Sequence, residues 1–518
     1  MKRALLGICA TIGFLGTASA QRVLHVFSND LSDDYGEIVQ VIGDIDDDGH
    51  ADVIIRQLSL NRAEVRSGKT GEIIRSHSIV ADNPRFGHPH PPIGDLDGDG
   101  ISDYAITAFG RSGFPGTIRL FSGASGAQLT IISEGEHDER FATAMASDDI
   151  DGDGIDDLWI SHVGARIWSP YRPGKVHVYS GATFDKLFEL IGQGSEFGVA
   201  IEALGDIDGD AVPDFAVASN ASDQQVEVIS GADGSRLRVL ESGSPTNSGF
   251  GRALAALPDL DGDGKQELLI GSDGWDVSAH DNRGSVMIYS PATNIVLDQW
   301  YGVEPEEHLG SFVGWTEANR DPLPEIVVTR WKPSSVSVYS IDGRELYRIA
   351  EGDHRRGVVS HGGDIDLDGF PDLVTGGSGF AKAYSALCID VESYSDGGSG
   401  TGGLVPSLDV FGCSFPGETV TVVMREARGA ASGALLIGSE ASPFEVLGCE
   451  LGVTPLFAVP FLAGGLEGKP GAGYADIPLR IPPGEQHVGR RVSAQAVIFD
   501  VGVPQGLAAT NAVTLTTL

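Results

Sequence analysis

A nine-residue acidic string, DxDxDGxxD, recurs along the 518-residue chain. Its copies place Asp44, Asp46, Asp48 and Asp52 in one short segment, then Asp95, Asp97, Asp99 and Asp103, then Asp149, Asp151, Asp153 and Asp157. They continue with Asp206, Asp208, Asp210 and Asp214, with Asp259, Asp261, Asp263 and Glu267, and with Asp364, Asp366, Asp368 and Asp372. A degenerate seventh copy, EANRDPLPE, runs from Glu317 to Glu325. Alternate side chains of a curved segment face the same way, so carboxylates one, three and five converge on a point. The seventh residue offers a backbone carbonyl and the ninth acid closes the shell. Six to eight hard oxygens at about 2.3–2.6 Å are what Ca²⁺ takes. Glycine at the sixth position permits the positive φ of the turn; it is Gly49, Gly100, Gly154, Gly264 and Gly369, with Ala211 in the fourth copy. One such string reads equally well as an acidic turn. Six in phase read as a metal site, because the pattern positions of the seven strings hold 27 of the 73 carboxylates. Packing like charges together is unfavourable unless a cation or protons neutralise them.

The flanking residues decide what holds these loops. An EF-hand would need a Glu at position 12 and helices on both sides. Here β-branched runs follow instead, such as VIIR (53–56), FAVAS (215–219) and IVVTR (326–330). About nine residues before each loop stands an aromatic-glycine pair or its relic: Tyr35-Gly36, Phe86-Gly87, Phe141-Ala142, Phe197-Gly198, Phe250-Gly251, Leu309-Gly310 and Arg356-Gly357. Later in each unit comes an alternating strand that ends in a turn, for example KVHVYSGATF or VEVISGADG. The loops start 47 to 58 residues apart. Four short strands per unit, seven times over, is the arithmetic of an all-β, seven-bladed propeller. The last unit runs out one strand short. RVLHVF (22–27) stands before Tyr35 as KLFELI (186–191) stands before Phe197, so the N-terminal strand is expected to close the last blade and leave no open edge.

In the joint recurrence of aromatic-glycine pair and aspartate loop, the chain resembles the FG-GAP repeat propellers. These occur in the heads of integrin α subunits and in bacterial secreted proteins. The resemblance covers about residues 22 to 388 and implies calcium in the loops. Departures are the pairs at 141, 309 and 356, Ala211, and the whole loop at Glu317.

Residues 1–20 read as an export signal: Lys2 and Arg3, an apolar run from Ala4 to Gly16, and the small-x-small end Ala18-Ser19-Ala20. This predicts a secreted or cell-surface protein. The apolar run is too short to span a bilayer, and no later stretch of about 18 apolar residues exists, so no membrane span is expected. A formal charge of −38 repels nucleic acid and anionic lipid. The predicted division is a propeller over 21–390, a Gly/Ser-rich linker over 391–404 and a small C-terminal β-sandwich over 405–518. The sandwich is read from strands such as TVTVVMR (419–425), ALLIGS (434–439) and VSAQAVIFD (492–500). Among the cysteines of the mature chain, Cys413 and Cys449 are the expected pair, leaving Cys388.

The functional expectation is an extracellular binding or adhesion module for a protein or polysaccharide ligand, with Ca²⁺ as its cofactor and no catalytic residues. The alternative is a propeller enzyme, either a polysaccharide lyase or a phospholipase-like hydrolase. No GxSxG, HExxH or phosphate-cradling loop appears. His88 and His90 in FGHPHPP have metal-pair spacing but no third ligand nearby, and read as an exposed turn. Trp315 and Trp331 offer either an aromatic surface for sugar stacking or buried packing.

Overall fold

The computed structural model describes residues 23–28, 34–78, 86–110, 116–133, 140–163, 173–193, 196–219, 224–241, 248–275, 281–318, 323–349, 359–377, 379–386, 390–394, 397–411, 414, 417, 419–446, 449–466, 468–487 and 489–517. The expected export signal, Cys388, Cys413 and Arg356-Gly357 lie outside these residues.

Seven four-stranded antiparallel sheets follow one another. Blade I holds β2 (Tyr35–Gly43), β3 (Asp52–Gln57), β4 (Arg62–Arg66) and β5 (Ile73–Ser78). Blade II holds β6 (Phe86–Pro89), β7 (Tyr104–Ala108), β8 (Thr117–Phe121) and β9 (Gln128–Ser133). Blade III holds β10 (Phe141–Asp148), β11 (Asp157–His162), β12 (Lys175–Tyr179) and β13 (Lys186–Ile191). Blade IV holds β14 (Phe197–Gly205), β15 (Asp214–Ser219), β16 (Gln225–Ile229) and β17 (Arg236–Glu241). Blade V holds β18 (Phe250–Leu257), β19 (Glu267–Ser272), β20 (Ser285–Ser290) and β21 (Ile295–Tyr301). Blade VI holds β22 (Val313–Thr316), β23 (Glu325–Trp331), β24 (Ser334–Tyr339) and β25 (Glu345–Ile349). Blade VII holds β26 (Val359–Gly363), β27 (Asp372–Gly376) and β28 (Phe380–Tyr384). Its fourth strand is β1 (Val23–Ser28), which pairs antiparallel with β28, Phe27 opposite Ala381 and His25 opposite Ala383. The first strand therefore completes the last blade, as the sequence predicts.

The patterning explains the order of strands within a blade. Second strands are buried at every residue except Trp331 at the end of β23, as in DVIIRQ of β3 and DFAVAS of β15, because a neighbouring blade covers each face. Outermost strands alternate, as in IIRSHS of β5, and show one side to solvent. Seven buried clusters each straddle two consecutive blades. One of them joins Phe27, Val374 and Ala383 of blade VII to Tyr35, Val39 and Val53 of blade I. Each aromatic of the aromatic-glycine pairs lies in such a cluster, and Tyr35, Phe141 and Phe250 are wholly buried. The glycine is there for close approach: a Cβ on Gly36, at φ +83°, would sit 2.0 Å from the Phe380 carbonyl oxygen of blade VII.

The tail forms two further sheets. One runs β29 (Asp390–Tyr394), β36 (Leu507–Thr516), β35 (Arg491–Phe499), β32 (Ser432–Val446), β33 (Cys449–Leu462); the other runs β30 (Ser407–Phe411), β31 (Thr419–Glu426), β34 (Gly471–Arg480). One core, including Leu408, Val422, Leu435 and Ile498, lies between them. The strand pairing corrects the expected linker. Residues 390–394 belong to the tail's sheet, Tyr394 opposite Ala512. The glycine-rich stretch lies against the tail, with Gly398 bridged to Ala509 and the Thr401 N–H donating to Asp500 at 2.7 Å. Its glycines follow from that packing, since a Cβ on Gly398 would meet the Cys449 sulfur at 2.7 Å. Cys449 is buried and forms no disulfide among the described residues.

Candidate metal centres

Each acid loop links the first and second strands of its blade, so all the described loops lie at one end of the ring. The chain turns there by hydrogen bonds that the loop's own carboxylates accept. The first aspartate takes N–H groups from the residues three to five places on. Asp95 accepts from Gly98 at 2.7 Å, Asp99 at 3.1 Å and Gly100 at 2.7 Å. Asp259 accepts from Gly262 at 2.7 Å and Gly264 at 2.8 Å. The fifth-position aspartate accepts from the seventh N–H, as in His50 to Asp48 at 3.0 Å and Phe370 to Asp368 at 3.0 Å.

This folding gathers the predicted acids. One oxygen each from Asp44, Asp46 and Asp48 lies within 4.8 Å of the others, and the same holds for Asp95, Asp97 and Asp99 and for Asp206, Asp208 and Asp210. Asp149 and Asp151 gather with Asp157, and Asp259, Asp261 and Asp263 gather with Glu267. Asp364, Asp366 and Asp368 repeat the loop's hydrogen-bond pattern. Two oxygens on opposite sides of a Ca²⁺ stand about 5 Å apart, twice the bond length, so these groups fit the ion in spacing and in donor type. Asn319, Arg320, Asp321 and Pro322 of the degenerate copy lie outside the described residues.

The ninth acid has a second duty that the sequence reading missed. It is buried and clamps the loop to the turn between the third and fourth strands. Asp52 accepts from Ile45 N–H at 2.9 Å and Gly68 N–H at 2.9 Å. Asp103 accepts from Leu96 at 2.8 Å and Gly123 at 2.8 Å; Asp157, Asp214 and Asp372 do likewise. Glu267 accepts from Leu260 at 2.5 Å. Glu325 keeps the loop side of this contact in blade VI, accepting from Ala318 at 2.5 Å. Burial raises the carboxyl of Asp52 to about 7, of Asp103 to about 6, of Glu267 to about 7 and of Asp372 to about 8; the neighbouring loop carboxylates push the same way and the N–H donors oppose. The signal was in the sequence, since the degenerate copy loses its first aspartate and keeps the ninth acid.

Loop IV differs from the rest. Ala211 sits at φ +70° where the five other full copies have glycine, a strain of about 1 kcal/mol or somewhat more. The Lys265 ammonium of loop V reaches it, hydrogen-bonded to the Asp206 carbonyl and 3.3 Å from the Asp206 carboxylate. The fourth position also takes positive φ, at Asp47 (+59°) and Leu367 (+62°).

Other sequence candidates fall elsewhere. His88 and His90 are not in an exposed turn. They lie on and beside inner strand β6, where His90 is 2% exposed and its Nε2 is 2.6 Å from the Thr107 hydroxyl. The pattern FGHPHPP hid this, because prolines suit a strand end as well as a turn. Burial pushes the His88 imidazole down to about 4, with Arg56 adding to it, and pushes His90 well below its ordinary value. Trp315 is half-buried against the core between blades V and VI. Trp331 stacks on His308 with ring centres 4.2 Å apart.

Residues 250–289 match the family model described as FG-GAP repeat. Integrin alpha-4 of Xenopus laevis is 34% identical over 165 residues, 28% of this chain and 16% of that protein. Integrin alpha-PS2 of Drosophila melanogaster is 30% identical over 207 residues, 35% of this chain and 14% of that protein. Human integrin alpha-IIb is 28% identical over 205 residues, 35% of this chain and 19% of that protein. The chain thus spans less than a fifth of the length of these relatives. A solved chain described as BBS1N in complex with ARL6DN, soaked with lead, aligns at 12% identity over 71% of this chain and 98% of that one, with a TM-score of 0.47, too low to bear on the fold. No described helix is long and apolar enough to cross a membrane. With its recurring aromatic-glycine pairs, its acid loops and its likeness to integrin α chains, the chain is an integrin-like FG-GAP repeat protein.

Proposed function

We propose that this chain is a secreted, calcium-stabilised binding module of the adhesion type, in which Ca²⁺ rigidifies the loop end of every blade with a well-formed loop. The observation that carries the reading is the gathering of three or four carboxylate oxygens within 4.8 Å in blade after blade. The first, third and fifth acids, with the ninth beside them, would hold the ion. Their charges would be neutralised without protonation, so the loop and the clamped turn would set as one unit. The degenerate loop of blade VI keeps its ninth acid, lacks the aspartate set and carries no ion in this reading. The likeness to integrin α chains supports an extracellular binding role. A binding role also fits the repetition, since a catalytic centre would make one blade carry nucleophiles or bases that the others lack.

The test is a calcium titration by calorimetry after exhaustive chelation, with magnesium as the comparison ion. Six calcium ions per chain are expected. A stoichiometry of one or none would overturn the metal assignment.

A further inference from the structure

We infer that the end of blades V and VI opposite the acid loops is a binding site for a neutral hexopyranose polymer, built on the aromatic rings of Trp275, Tyr301, His308 and Trp331. This rests on the binding-module reading above and adds the ligand class and the place.

The strand register puts the four rings together. Ser272, Ser285 and Tyr301 stand in line at the far ends of β19, β20 and β21. Trp275 follows β19 by three residues, and Trp331 ends β23, which starts at the acid-loop end. Backbone hydrogen bonds then tie the ring-bearing segments to one another. Gly284 N–H donates to the Trp275 carbonyl at 3.1 Å, Gly302 N–H to Gly284 at 3.0 Å, Leu309 N–H to Arg283 at 3.0 Å and Trp331 N–H to Glu307 at 2.8 Å. Side chains finish the clamp. Glu307 is buried and accepts from Val303 N–H at 2.6 Å, Glu304 N–H at 3.0 Å and Arg330 at 2.7 Å. His308 Nδ1 is 2.9 Å from the Asp273 carbonyl. Glu306 and His308 are held at φ +61° and +51°, a conformation that persists only where the surroundings impose it.

The rings are therefore fixed in two pairs: Trp275 with Tyr301, centres 5.7 Å apart, and His308 stacked on Trp331. They are not all absorbed in packing. Tyr301 is 42% exposed and its neighbour Val303 is 72% exposed, while Trp275, His308 and Trp331 are half-buried. Four of the six tryptophans of the whole chain fall between 275 and 331. Rigid aromatic faces with polar groups at their rim match the apolar C–H faces and equatorial hydroxyls of a pyranose. Two ion pairs stand beside the rings: Arg252 lies 3.3 Å from Asp273 and Arg283 2.6 Å from Asp281. They can hydrogen-bond hydroxyls while presenting little net charge. The chain's overall −38 favours a neutral polymer over a polyanion.

The experiment is affinity electrophoresis of the full chain in calcium, through gels containing laminarin, galactomannan, hydroxyethyl cellulose or polygalacturonate. Wild type, Tyr301→Ala and Trp275→Ala are compared, with melting points taken on the same samples. At least one neutral polymer is expected to retard wild type, and each variant to weaken that retardation about tenfold at an unchanged melting point. No retardation by any neutral polymer, retardation by polygalacturonate alone, or equal retardation of folded variants would overturn the inference. The calcium dependence of the melting points reads separately on the module itself, so either conclusion can fail without the other.

Discussion

The two ends of the ring are built by different rules. At the acid-loop end, Asp52, Asp103, Asp157, Asp214, Glu267, Glu325 and Asp372 each accept from the N–H of the loop's second residue, and the five aspartates also reach the turn after the third strand. At the opposite end the blades diverge: blades V and VI carry a braced aromatic cluster, while blade I ends β3 at Gln57 and a short turn closed by Asn61 at φ +48°. Repetition suits stability, because every blade must meet its neighbour in the same way. Divergence suits recognition, because a ligand needs one place unlike the others.

The comparison presupposes that the ring is closed, and breaking the closure should have the largest effect. Deleting residues 23–28 removes the outer strand of blade VII and takes wholly buried Phe27 out of the core shared with blade I. It also leaves β28 as an open edge. The truncated chain is expected to aggregate or to melt well below the parent; size-exclusion chromatography and calorimetry check this. A monomer of parental stability would mean that the seam between blades VII and I does not hold the ring.

Within the loop end, the clamp can be separated from the metal. Asp103→Ala strands the buried Leu96 and Gly123 N–H groups, at about 1–3 kcal/mol each, and the loss should persist in EDTA. Asp97→Ala removes a loop carboxylate that no such N–H pair depends on. Its cost should appear in calcium and vanish in EDTA. Melting curves of both variants under both conditions give the four values needed.

The far end should show its own response to acid. Burial, helped by Arg75, pushes His77 down to about 4, and His88 stands at about 4 for the reasons above. A histidine depressed by folding contributes stability that is complete above about 6.5, its unfolded value, and is lost as pH falls from there toward 4. The melting point of His77→Phe relative to wild type should therefore rise between pH 7 and pH 5. A flat difference would show that His77 protonates as freely folded as unfolded.

The smallest effects belong to loop IV. Ala211→Gly should relieve the positive-φ strain and stabilise by about 1 kcal/mol. Lys265→Ala should raise calcium affinity at that loop a few-fold, by removing the ammonium 3.3 Å from Asp206. In EDTA the same variant should be no more stable than wild type.

Much of the fold was legible because it is periodic. Tyr35-Gly36 and its counterparts, the acid strings and the buried second strands recur in phase, and the incomplete last unit pointed to the first strand as its completion. The gathering of the first, third and fifth acids followed from alternation along a turn. What was missed lacks such a signature. The clamp by Asp52 joins a strand end to a turn sixteen residues away, a tertiary contact whose only trace in the sequence is that the degenerate copy keeps Glu325 after losing its first aspartate. Burial of His90 depends on its place just past the end of inner strand β6. In the tail, β33 was not recognised because TPLFAVPFL carries Pro455 and Pro460 and shows Leu456 and Leu462 to solvent. Proline is tolerated there because β33 is an edge strand, with one side free of the ladder. The strand at 390–394 was hidden by the glycine-rich stretch beside it, which packs on the tail.

The central claim is that calcium sets the loop end of the ring, and thermal melting in millimolar calcium against EDTA tests it most directly. At about 1 mM calcium and a Kd of about 0.1 mM, each site adds roughly 1.4 kcal/mol. Six sites would add on the order of 8 kcal/mol to a ring that unfolds as one unit. The midpoint should therefore rise by many degrees in calcium and return on chelation. Equal midpoints in the two conditions would contradict the account.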